Sequence, residues 1–309
     1  MRARVWLALA AVYVAWGSTY LAIRFAVESI PPFLMAGTRF LVSALILFVW
    51  RGASDDPSPT PKQWRGALIV GLLLLLGGNG LVSWAEQSVP SGIAALIVAS
   101  VPFWIVLIDG VRPGGPRPDA RVMWGVLLGF AGIALLVASG PRLGSPEHIS
   151  SLGVAALLLA SILWSGGSVY SHTADLPESS LLGTSIQMFG GAAGLFLAAT
   201  FAGEWQALRL ATISSRSALA LLYLIAVGSL IGFVCYAWLL RNAPLSLVST
   251  YAYVNPVVAI LIGAWLANEV LNARILIAAG VIVGSVVLIT TSRQSRIAPE
   301  SRARARAAE

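Results

Sequence analysis

The sequence predicts an all-α polytopic membrane protein of ten transmembrane helices, arranged as two inverted five-helix repeats. Composition is the first reason: 58% of residues are hydrophobic, mean hydropathy is +0.84 and only 11% are charged, too few charges to cover a water-soluble domain. The second is pattern, since apolar runs of about 20 residues follow one another with short polar loops between them. The third is a duplication. At a constant offset of 154, Gly78 falls on Gly232, Trp84 on Trp238, Pro90 on Pro244, Pro102 on Pro256, Leu107 on Leu261 and Ile108 on Ile262.

Taken in order, the spans are expected at 5–24, 33–50, 66–85, 91–110, 122–139, 151–170, 180–202, 217–239, 245–267 and 275–292. Span one follows a basic start and so imitates a signal peptide. Its apolar run is long, however, contains Trp6, Trp16 and two tyrosines, and precedes no small-x-small cleavage site, so it is read as retained. Trp84 closes span three and Trp238 closes span eight, which makes the repeat five helices long. Five is odd, so the second copy enters the membrane in the opposite sense. The halves are expected at 5–139 and 151–292, joined by GPRLGSPEHIS (140–150), with 293–309 as a disordered basic cytoplasmic tail.

The net charge of +7 could suggest a nucleic-acid partner, but the basic residues sit at helix ends and in loops. With the loops assigned alternately, fourteen arginines or lysines fall on one side and five on the other, leaving Arg39 inside a span. Basic loops stay cytoplasmic, which puts both termini inside. The loop 172–179 fits least, having Asp175 and Glu178 and no arginine. Cys235, in an apolar run, has no partner for an intrachain disulfide. The single lysine, Lys62, among nineteen arginines hints at a GC-rich bacterial genome.

Several stretches together resemble the EamA-type ten-helix permeases of the drug/metabolite transporter superfamily. They are WGSTYLAIR (16–24), IPPFLMAGTRFLVSALIL (30–47), GNGLVSWAEQSVPSGIAALI (78–97), LGFAGIALL (128–136), GGSVY (166–170), STYAYVNPVVAILIG (249–263) and ANEVLNARILIAAGVIVG (267–284). The resemblance implies an inner-membrane permease, usually an exporter of amino acids or related metabolites and sometimes of toxic compounds, and leaves the substrate open. The chain departs from the pattern at the arginine-poor loop 172–179. It also departs at DGVRPGGPRPDAR (109–121), which lacks the Gly-Glu step expected after the matching helix, where Asn268 and Glu269 stand.

Polar residues inside apolar spans mark the candidate site, because a polar stripe in lipid is costly unless it faces other helices or water. Tyr13, Trp16, Gly17, Tyr20 and Arg24 share a face of span one; Ser161, Trp164, Ser165 and Ser168 share one of span six. They are read either as symmetry-related walls of a substrate path or as contacts that hold helices together. Tyr251, Asn255 and Ala259 share a face of span nine. Pro256 there leaves the carbonyl of Ala252 without its helical donor, as Pro102 does for Val98. These breaks serve as hinges beside a midplane site, or Asn255 satisfies the broken backbone and the prolines only shape packing. Asn79, Ser83 and Glu86 share a face of span three, with Glu86 near its outer end as a gate. Arg39, deep in span two, either attracts a substrate carboxylate or pairs with Glu86, Glu28 or helix carbonyls to brace the halves. An arginine at that depth costs about 2.5–3.5 kcal/mol on insertion scales, so it should have a partner. Tyr223, Ser229 and Tyr236 of span eight are further wall candidates.

No GxxxxGK[ST] motif is present, so ATP is not the direct energy source, and no cofactor or metal is expected. Glu86, Asp109 and Glu269 all sit at span ends, which leaves no mid-membrane acid for proton coupling. The expected mechanism is facilitated diffusion or exchange of a small polar or zwitterionic metabolite by alternating access, around a cavity lined by spans one, two, three, six, eight and nine. Spans five and ten, with glycines at 125, 129, 132, 280 and 284, brace the halves or pair protomers in a homodimer. A drug or nucleotide-sugar permease is the alternative within the superfamily. A membrane-embedded enzyme would need clustered nucleophiles, acids or metal ligands, and a receptor or scaffold would not need the matched breaks.

Overall fold

A membrane interior offers no water to backbone amides, so a chain this apolar crosses it as helices that satisfy their own hydrogen bonds. The computed structural model describes residues 2–51, 58–112, 118–137, 150–243, 248 and 250–307. Most of the expected linker, Pro244 and the expected start of span nine lie outside the described residues. Among the described residues there are helices and no strand. Eight helices are long and apolar enough to cross a membrane, and the shorter apolar helices Ala120–Leu136 and Tyr251–Ala267 bring the number to ten.

Span one is Arg2–Ala26, span two Pro32–Arg51, span five Ala120–Val137, span six Ser151–Ser171 and span seven Ser180–Phe201. Their starts follow local chemistry. Thr60 and Gln63 form a capping box with Pro61 in the first turn of span three, and the hydroxyls of Ser150 and Ser214 accept amides of Gly153 and Ser217. Span nine, Tyr251–Ala267, stops at Asn268, whose left-handed φ of 53° suits the residue that ends a helix.

Spans three and eight each contain a π-helical segment that periodicity did not reveal. Span three runs Pro61–Gly71, Leu72–Gly80 and Leu81–Ala85; span eight runs Ser215–Tyr223, Leu224–Ile231 and Gly232–Asn242. The middle segment of each is the π stretch, at overlapping positions of the two repeats. The proline breaks, in contrast, are not matched. Span four is cut into Ser91–Val98 and Val101–Val111 before Pro102, whereas span nine continues through Pro256.

Helix pairings follow the repeat. Span one packs on spans nine and eight, and span six packs on spans four and three; spans two and seven pack together, as do five and ten. Exchanging the halves turns each pairing into another on this set. The sense is inverted: span one ends, and span six begins, at the end where Gly153 meets Ser88 and Val89 and where Arg24 meets Glu269. At the other end, the loop 172–179 packs through the Asp175 carbonyl on Gly66. Spans five and ten meet through Gly125 against Ile289 and Gly132 against Ile282, while Gly280 and Gly284 face open space rather than a packing partner.

The last helix is Ala273–Ala307, so the backbone is helical over the described part, 293–307, of the segment expected to be a disordered tail. Ala, Arg and Glu are strong helix formers, and extending an existing helix avoids the cost of nucleation.

Candidate functional site

Between the repeats lies a cavity of about 740 Å³, within the range of small-molecule sites. Trp16, Tyr20, Arg39, Asn79, Trp164, Tyr251 and Asn255 all line it, together with Pro102 and Pro256. The wall also includes residues that sequence reasoning passed over. Span four contributes Ala95, Val98 and Val101 beside its break, and span ten contributes Ile289 and Thr290. Pro102 was the available signal for span four; the apolar run of span ten gave none.

Ser83, Ser168 and Glu86 are outside the lining. Ser168 is turned back onto the carbonyl of Trp164 at 2.8 Å, the usual way a hydroxyl hides in an apolar helix. Ser83 is 1% exposed and its hydroxyl has no partner among the described residues. Ser165, on the same stripe of span six, has its hydroxyl within reach of two carbonyls, Ser161 on its own helix at 2.7 Å and Val101 beside the break in span four at 3.0 Å.

Arg39 is 4% exposed and its Nε donates to the hydroxyl of Ser229 at 2.9 Å. Its expected partners are elsewhere: Glu28 pairs with Arg216 at 3.4 Å, and Glu86 makes no hydrogen bond to it. Ser229 belongs to the π segment of span eight, as does Gly228, whose carbonyl accepts Trp16 Nε1 at 3.2 Å. The π segment of span three places Gly78 and Asn79 on the opposite wall, with Gly78 against the ring of Trp164. Each unwound stretch therefore serves one tryptophan and one polar wall residue, consistent with the frequent placement of π-bulges at functional sites.

Trp16 is held from three sides by Phe233, Tyr236 and Tyr251, with ring centroids 5.1–5.4 Å away. The Phe233 and Tyr251 contacts are edge-to-face and the Tyr236 contact is tilted, and together they fix the ring of Trp16 at the cavity wall. Gly17, next to it, lets span one approach Val258 and the backbone of Asn255. Asn255 is 9% exposed, and its Oδ1 is buried without a partner among the described residues. Asn255 and Arg39 both line the cavity.

One end of the cavity is closed by contacts between the halves. Glu269, expected to be a solvated helix-end charge, is 8% exposed in its side chain. Its Oε1 accepts the amide and hydroxyl of Ser91 at 2.8 and 2.7 Å and meets Arg24 at 3.4 Å; Oε2 accepts the amide of Gly92 at 3.0 Å. A carboxylate at the first amides of Ser91–Val98 satisfies orphan donors and complements the helix dipole. Glu204 does the same for span two, accepting the amides of Phe33 and Leu34 at 3.2 and 2.9 Å. Glu86 is also at this end, 2% exposed, not a surface charge.

The sequence model of the EamA-like transporter family matches twice, over residues 3–138 and 151–291. The chain is 40% identical to the "Uncharacterized inner membrane transporter YedA" of Escherichia coli K12, over 93% of this chain and 90% of that one. It is 28% identical to the "Probable amino-acid metabolite efflux pump" of the same organism, covering 84% and 85% of the two. A solved crystal structure shares the fold at a TM-score of 0.64 and 21% identity, over 96% of this chain and 99% of the other.

Proposed function

The chain belongs to the EamA-like transporter family, and on that premise we propose that it is an inner-membrane exporter or facilitator of amino acids or related small metabolites, working by alternating access. The observation that carries this reading is the cavity itself. It lies between the repeats and sets the Arg39 guanidinium and the Asn255 side-chain amide among aromatic and apolar walls. A carboxylate suits the guanidinium, the Asn255 amide suits a polar group of the solute, and the tryptophans and aliphatic residues suit an apolar body. The kinship to an efflux pump named for amino-acid metabolites supports the same class. The distribution of basic residues supports cytoplasmic termini, in which case the Glu269 end faces outward and is shut in this conformation.

Purified protein in liposomes tests the function. Counterflow of labelled amino acids is expected with the native chain and is expected to be abolished by Trp164→Ala. A full panel with no movement, accompanied by a chemically altered lipid or solute, would instead favour a membrane-embedded enzyme.

A further inference from the structure

Glu86 has no role in the account above. It follows Ala85 at the closed end, 2% exposed, and neither carboxyl oxygen has a hydrogen-bond partner among the described residues. The charged and titratable groups around it are Glu269 from the turn after span nine, Tyr20 and Arg24 from span one, and Arg39 from span two. Span six, which meets this turn through Gly153, has no ionisable side chain except Tyr170 near its far end. Arg24 reaches toward Glu269, and Arg39 toward Ser229. An ionised carboxylate buried without a donor at hydrogen-bond geometry is disfavoured, and such a group takes up a proton instead. Burial, and then the neighbouring Glu269, hold the Glu86 carboxyl well above the usual range, against the opposing pull of the Arg24 charge, the Arg24 backbone and the Arg39 charge.

We propose that Glu86 is a proton-binding switch for this end of the carrier: the end closes with Glu86 protonated, and opens as water enters and the proton passes to the solution on that face. This rests on the reading that the Glu269 end opens during transport. One proton is taken up on closing and returned on opening. The closed state is the one with the raised pKa, so it binds more protons and is favoured by acid. Its advantage is complete below the ordinary glutamate pKa of about 4.3 and is lost as pH rises through the closed-state value. Between the two, the ratio of open to closed molecules rises about tenfold per pH unit.

Ile260 packs against Gly92 across the closed end and is 7% exposed. An Ile260→Cys reporter in a Cys235→Ala chain, treated with a membrane-impermeant maleimide in detergent, reads the opening. Labelling is compared with the same chain carrying Glu86→Gln at each pH, which cancels thiol ionisation and any titration of Glu269. The ratio of parent to Glu86→Gln is expected to be only about six at pH 5 and to rise about tenfold per pH unit above it, up to the closed-state pKa. A flat ratio, or one below one, overturns the proposal. A second reading needs no Glu86 variant: parent labelling normalised to Gln87→Cys, exposed on the same turn, is expected to climb with pH, and constancy overturns the switch. A flat ratio with intact counterflow removes the switch and leaves the carrier; a rising ratio without counterflow does the reverse.

Discussion

Arg39 shows what a single residue does in this fold. Its Nε bond to Ser229 ties span two to span eight, and the guanidinium still borders the cavity. The carboxylates expected to make Arg39 a charged brace form no ion pair with it: Glu28 meets Arg216, and Glu86 makes no hydrogen bond among the described residues. Arg39→Gln is therefore expected to fold, with detergent melting close to the native value, and to lose counterflow by about 10- to 100-fold, the loss expected of one charged hydrogen bond of roughly 1.5–3 kcal/mol. Loss of folded protein in a size-exclusion profile would point to the brace instead. The sequence exposed Arg39 because a lone charge in an apolar span is conspicuous. It could not name Ser229, because that contact depends on how an unwound helix rotates its side chains.

Among elements, the close crossings decide stability. In span three, a Cβ on Gly71 would overlap the backbone carbonyl of Gln187 in span seven, whereas one on Gly280 meets nothing within 4 Å. Gly71→Ala is expected to cost about 1–3 kcal/mol through forced separation of the helices. Gly280→Ala should leave the melting temperature unchanged or raise it slightly, since alanine favours helix. Thermal unfolding in detergent compares the two, and equal effects would contradict the packing. Spans and their order were legible from hydropathy because lipid forces each crossing into a helix. The π segments were not, because LLLLLGGNG and LIAVGSLI are equally compatible with an unbroken α-helix. The prolines misled in the opposite direction: Pro102 accompanies a full break and Pro256 none, although the two occupy the same repeat position. Glu269 was misjudged for a related reason, since its position after a span says nothing of the amides of Ser91 and Gly92 that lie across from it.

For the whole molecule, duplication was the most legible feature and sidedness the least. Reporter tags placed in the loops at 51–60, 172–179 and 202–214 test orientation. The first two are expected on the cytoplasmic side and the third outside, despite the acidic character of 172–179. Finding the first two on opposite sides would break the inverted arrangement.

The central claim is that the cavity between the repeats is the path of the solute. Val98, on its wall beside the break in span four, provides the most direct measurement when replaced by cysteine in a Cys235→Ala chain reconstituted in liposomes. Modification by a small thiol reagent is expected to stop counterflow, and saturating transported amino acid is expected to slow that modification. Full counterflow after complete modification, with no protection by the amino acid, would contradict the account.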